Sequence, residues 1–150
     1  MTQTLQLKND RREVEGLSQW LDRFADQQDL SPRVRGNLQV ALEEVALNVI
    51  VHGYGEGGAT RHFTVSLTLE GDYVRAEVSD EAVAFDPLTR AEVDTTLPLE
   101  KRPIGGLGIH LVKNLMDSVD YERRGTRNVL TLRCRRKPAD ETEGGGYAVT

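Results

Sequence analysis

Val14, Leu17, Trp20, Leu21 and Phe24 recur at intervals of three and four, which predicts an amphipathic helix over Arg12–Gln28. Thr4–Lys8 ahead of it alternates weakly and reads as a short first strand. Ser31-Pro32 supplies an N-cap and a proline at the first helical position, so a second helix starts there. It runs to about His52 and stops at the glycine-bearing stretch GYGEGG. His62–Glu70 and Tyr73–Asp80 then alternate around Gly71-Asp72, a hairpin pattern. Leu107–Met116 is a short apolar helix led in by glycines, and Ser118–Arg123 and Asn128–Arg135 form a second hairpin pattern around Gly125-Thr126. Between the hairpins, Glu81–Pro103 has little periodicity and carries Pro87, Pro98 and Pro103; an irregular segment of that length in a compact domain is usually functional, and a lid is expected. The order β, α, α, β, β, lid, α, β, β predicts an α+β fold, a two-layer α/β sandwich. One mixed or antiparallel sheet would be backed by helices at 12–28, 32–52 and 107–117. The single G-x-G lacks the parallel βαβ context of a dinucleotide-binding fold.

The chain has 150 residues, enough for one domain with a real core, and residues 1–136 are read as that domain. The remainder, 137–150, is polar and glycine-rich and predicts a disordered tail. A net charge of −5 with scattered Lys and Arg gives no footprint for direct nucleic-acid binding. No apolar run approaches the length of a membrane span, and MTQTLQLKND lacks the pattern of a secretory signal. Cys134 is the only cysteine, so no internal disulfide forms and a cytoplasmic location is expected. One Cys and three dispersed His offer no ligand spacing for a Cys/His metal site.

The chemistry begins in the second helix, ALEEVALNVIVHGYGEGG at 41–58. On a helical wheel Leu38, Leu42, Val45 and Val49 form the core stripe, and Glu44, Asn48 and His52 form a polar row beside it. Glu43 points away from that row. On this helix alone, a side-chain hydrogen bond between Glu44 and Asn48 at a helix edge is the simpler account. Two further segments add weight to a site. Asp80 ends a strand whose Val74, Ala76 and Val78 share its face, so its carboxylate falls near the core and needs a donor. In RPIGGLGIHLVKNLMD, Gly105, Gly106 and Gly108 feed a helix N-terminus, where free N–H groups favour an anion such as phosphate. Alone, these glycines would be a flexible turn.

Taken together, EEVALN and ALNVIVHGY resemble the N-box of the GHKL ATPases, in the form found in bacterial anti-sigma-factor serine kinases. SDEAVAFDP resembles their first glycine box, and GGLGIHLVKNLMDSVDYERRGTRNVLTL the second box and the strands after it. The resemblance covers roughly residues 5–135. It lacks the phosphoacceptor-histidine helix pair of sensor histidine kinases. It implies a Bergerat fold with the lid over a nucleotide site. In that site Asn48 coordinates Mg²⁺ on the ATP phosphates, and Glu44 is the general base for a protein serine. Asp80 accepts a hydrogen bond from the adenine amine. Gly105, Gly106, Leu107, Gly108 and Ile109 form the phosphate box, and Thr126 closes the adenine side. Lys101 or Arg102 would reach the γ-phosphate, unless both are simply solvated lid charges. Ala82 stands where glycine is usual, and Ala84 where a second glycine or a proline often appears; each adds a methyl and restricts positive φ, and a tolerated variant is expected. Phe85-Asp86-Pro87 keeps the family's FDP, with Asp86 expected to cap a short lid helix.

The function so implied is an ATP-dependent serine kinase and anti-sigma regulator. It would phosphorylate a small anti-anti-sigma (STAS) protein and sequester a sigma factor; the resemblance also leaves a homodimer open. The alternative is a module that binds nucleotide and regulates a partner without phosphoryl transfer. Glu44 discriminates between them, because a pure binder needs no base. A purely structural domain is disfavoured by Asp80 and the glycines together.

Overall fold

A computed structural model describes residues 2–54, 61–84, 86–89 and 106–136. Strand β1 (Thr2–Lys8) leads into helices α1 (Glu13–Gln27) and α2 (Pro32–Asn48), and α2 continues as a π-helical turn over Val49–Tyr54. Strands β2 (His62–Glu70) and β3 (Tyr73–Asp80) follow, then a 3₁₀ turn at Pro87–Thr89, helix α3 (Gly106–Leu115), and strands β4 (Ser118–Arg124) and β5 (Arg127–Arg135). The five strands form one sheet in the order β1-β2-β3-β5-β4. Every pairing is antiparallel, which settles the sheet as antiparallel rather than mixed. Most of the expected lid, including Lys101 and Arg102, lies outside the described residues, as do Gly105 and the tail at 137–150.

Local chemistry explains the boundaries. Ser31 accepts a hydrogen bond from the N–H of Val34 at 3.2 Å, capping α2, and Pro32 occupies its first turn. Gly71 and Gly125 have φ of 59° and 60° at the first central positions of two-residue turns, where a side chain would be strained. The fixed turn length sets the register, so every second residue of β2, β3 and β5 faces the helices. That face buries Phe63, Val65 and Leu67 of β2, Val74, Ala76 and Val78 of β3, and Leu130, Leu132 and Cys134 of β5. Leu17, Leu21 and Phe24 of α1, Leu38, Leu42 and Val45 of α2, and Val112 of α3 complete the core. Burying each such side chain contributes about 1.5–3 kcal/mol. The opposite sheet face is polar: Thr2 pairs with Thr68 and Thr4 with Ser66, while Arg75 bridges Glu70 and Glu77 at 3.2 Å. Partly exposed ion pairs of this kind add little stability. They keep that face wet and leave the helix-covered side to hold the site.

Candidate active site

Asn48 is the last α-helical residue of α2, at the step into the π turn. Single wider turns of this kind inside α-helices recur at functional sites. Half-buried, Asn48 lines a cleft with Val45, Val49, Val78, Asp80, Pro87, Tyr121, Asn128 and Leu130. The cleft holds about 440 Å³ of empty space, mouth included. Its lining is mostly apolar, with Asn48, Asp80, Asn128 and the Tyr121 hydroxyl as its few polar groups, the mix usual in a small-molecule site.

Asp80 is one of these polar groups and is 8% exposed. Its Oδ1 accepts hydrogen bonds from the Ala82 N–H and from Nδ2 of Asn128, both at 2.9 Å. Asn128 lies directly across the β3–β5 ladder from it. The expected need for a donor is therefore half met within the protein: Oδ1 is satisfied, and Oδ2 has no hydrogen bond among the described residues. Ala82 is buried, and the only described non-glycine residue with positive φ is Asp29. The two alanines after Asp80 thus sit in ordinary backbone conformations, and their methyls cause no strain. Asp86 accepts from the N–H of Leu88 at 2.8 Å and so caps the 3₁₀ turn that begins at Pro87, as the sequence predicts.

Glu44 sits one turn before Asn48, half-buried, with its carboxylate over the first turn of α3. A Cβ on Gly108 would lie 2.7 Å from Glu44 Oε2 and 3.6 Å from its Cδ, so the missing side chain of Gly108 makes room for this carboxylate. No hydrogen bond joins Glu44 to Asn48 among the described residues, so the helix-edge pair is not what forms. Glu43 does point elsewhere: its Oε2 accepts from the Ser18 hydroxyl at 2.9 Å, tying α2 to α1.

The remaining predicted site residues divide. Gly106 and Leu107 open α3, while Ile109 turns into the core at 8% exposure. Gly105 lies outside the described residues. Thr126 is exposed in the β4–β5 turn and is not among the cleft's lining residues. The hairpin residue that reaches Asp80 is Asn128, which the sequence reading passed over as the start of a strand. Its one signal was a polar side chain on the same face as Leu130 and Leu132.

The histidine kinase-like ATPase domain family matches residues 7–134. The serine/threonine-protein kinase BtrW of Bordetella bronchiseptica is 28% identical over 132 residues, 87% of this chain and 92% of that protein. The serine-protein kinase RsbW of Listeria monocytogenes is 31% identical over 110 residues, 70% of this chain and 69% of that one. Among solved structures, a Mycobacterium tuberculosis chain with RsbU and RsbW domains superposes with a TM-score of 0.64 at 14% identity, over 90% of this chain and 32% of its own. A chain of the SiaB–SiaC complex of Pseudomonas aeruginosa gives 0.56 at 16% identity over 88% of both. Match length and identity together put this chain in the histidine kinase-like ATPase family, among its ATP-using serine-protein kinases.

Proposed function

We propose that this kinase transfers the γ-phosphoryl group of ATP to a serine on a small STAS-type anti-anti-sigma protein, and that it sequesters a sigma factor between rounds of phosphorylation. The observation that carries the reading is the separation of tasks around one cleft. Asp80 offers a carboxylate oxygen to the cleft and Asn48 an amide, while Glu44, one turn before Asn48 on α2, sets a carboxylate against the first turn of α3. Adenine enters with its amine on Asp80. The serine Oγ attacks the γ-phosphorus, its proton passes to Glu44, and the bond from phosphorus to the ADP oxygen breaks.

Mg²⁺ fits this donor set. No group of three or more His, Cys, Asp or Glu among the described residues could cage a metal. Mg²⁺ beside a nucleotide keeps several waters and takes few protein ligands, and the amide oxygen of Asn48 would supply one hard oxygen next to the phosphates. When bound it neutralises phosphate charge. Residues 1–136 then form the catalytic domain and 137–150 a tail. No helix of the described residues is long and apolar enough to cross a membrane, and with its lone cysteine the chain suits the cytoplasm.

The test is incubation of the protein with labelled ATP, Mg²⁺ and a candidate small STAS protein. Label should appear on one serine of that protein. Tight ATP binding with no transfer would replace this reading with that of a nucleotide-gated binding module. Co-elution with a sigma factor on gel filtration tests the second half of the proposal.

A further inference from the structure

We infer that Asn128 is a positioning residue that fixes Asp80 for the nucleobase and thereby sharpens the choice of adenine. The inference rests on the proposed role of Asp80. Asn128 is 7% exposed, and both ends of its amide are occupied. Its Nδ2 faces Asp80 Oδ1 at 2.9 Å, the Val83 carbonyl at 3.0 Å and the Ala82 carbonyl at 3.4 Å. Its Oδ1 accepts from the Tyr121 hydroxyl at 2.5 Å and from Arg123 Nη1 at 3.1 Å. The amide has one tenable orientation. Flipped, its oxygen would oppose a carboxylate and two carbonyls, and its NH₂ would oppose the Arg123 guanidinium, which can only donate.

Arg123 also donates to the Ala82 carbonyl at 2.8 Å, so the chain after β3 is held from the side of β4 as well. Asp80 Oδ1 is consumed by two donors, and only Oδ2 remains for the cleft. A carboxylate held in this way presents one acceptor in one place. It matches the exocyclic amine of adenine and opposes the carbonyl oxygen that hypoxanthine carries at that position. Sites built around a substrate N–H reject analogues lacking it far more strongly than apolar pockets do.

The experiment measures ATP and inosine triphosphate affinity by calorimetry on the full chain and its variants, with thermal unfolding in parallel. Asn128→Ala should weaken ATP about five- to tenfold, weaken inosine triphosphate little, and so collapse the ratio between them. Asn128→Thr keeps a hydroxyl donor and should recover most of the ratio. Asn128→Asp sets two carboxylates together that share a proton at low pH, facing Asp80 from β3 and Tyr121 and Arg123 from β4. Its ATP affinity relative to the parent should therefore recover toward pH 5.5 and fall toward pH 8. Lowered melting temperature with an unchanged ATP-to-inosine-triphosphate ratio makes Asn128 merely structural and overturns the inference, as does a pH-independent Asn128→Asp. Asp80→Asn separates the layers. If it weakens ATP while Asn128→Ala leaves the ratio intact, only this inference fails; if it leaves ATP affinity unchanged, the role of Asp80 fails with it.

Discussion

Gly108→Ala is a sharp perturbation because the geometry says what the added methyl meets. The new Cβ would stand 2.7 Å from Glu44 Oε2, against ordinary contact beginning at 3.4 Å, so the carboxylate must move by about 0.7 Å. The obstacle is the end of a flexible side chain, and the backbone is helical at that position, so folding should survive. The helix itself gains about 0.5–1 kcal/mol from replacing glycine by alanine. Catalysis should not survive as well. Displacing a catalytic group by about 1 Å can cost about a hundredfold in rate, and a tenfold to hundredfold loss in kcat is expected here. Thermal unfolding, ATP affinity and phosphate transfer to the STAS protein should be measured together. A stable variant with near-normal ATP affinity and a depressed kcat is the predicted result. In Gly108→Ala with Glu44→Asp, the shorter acid escapes the methyl, so the double variant should lose much less than the product of the two single losses. The reasoning is refuted if the single variant transfers phosphate at the parental rate. Loss confined to ATP affinity would instead assign Gly108 to phosphate approach alone.

Glu44→Gln should abolish or strongly reduce serine phosphorylation while leaving ATP·Mg²⁺ binding largely intact, because a base acts on the nucleophile. Asn48→Ala should impair both, and calorimetry beside a transfer assay checks the pair. Burial, reinforced by the charge of Asp117, pushes the Cys134 thiol up to about 12 from its ordinary 9.0. The native thiol stays neutral where the unfolded one ionises, so this group's contribution to stability is intact below about pH 9 and is lost as pH rises toward 12. At pH 8 a disulfide reagent should therefore label the native protein far more slowly than the urea-unfolded chain; equal rates would show that β5 opens readily.

Strands β2 and β3 were legible to the residue because a period of two ended at a turn that only glycine tolerates, a wholly local signal. The second helix was legible to Asn48 and no further. Its apolar pattern continues smoothly through Val49 and Ile50, and nothing in that pattern announces the wider backbone turn. The wheel that placed Glu44 and Asn48 on one face ends at that turn, and the side chain of His52 lies outside the described residues. Asp80 was readable from alternation, whereas Asn128 was not, because its partner is set by a ladder between segments far apart in the chain. Thr126 drew notice for its hydroxyl, yet a two-residue turn carries it out to solvent. The space at Gly108 depends on α3 crossing α2 at Glu44, a packing distance that no spacing of glycines encodes.

The cleft is assembled from opposite ends of the chain, with Asn48 from α2, Asp80 from the end of β3, and Tyr121, Asn128 and Leu130 from the last two strands. Asp80 and Asn128, whose side chains meet at 2.9 Å, are 48 residues apart. On the proposed assignment of the cleft, nucleotide binding is a reporter of long-range closure. It stabilises only the state in which β5 has joined β3, by about 2.7 kcal/mol when free ATP is a hundredfold above Kd. During synthesis, Glu44 and Asn48 emerge early on a helix that has no floor beneath its nucleotide. On the proposed assignment, phosphoryl transfer waits until the chain beyond residue 130 is available to complete the cleft.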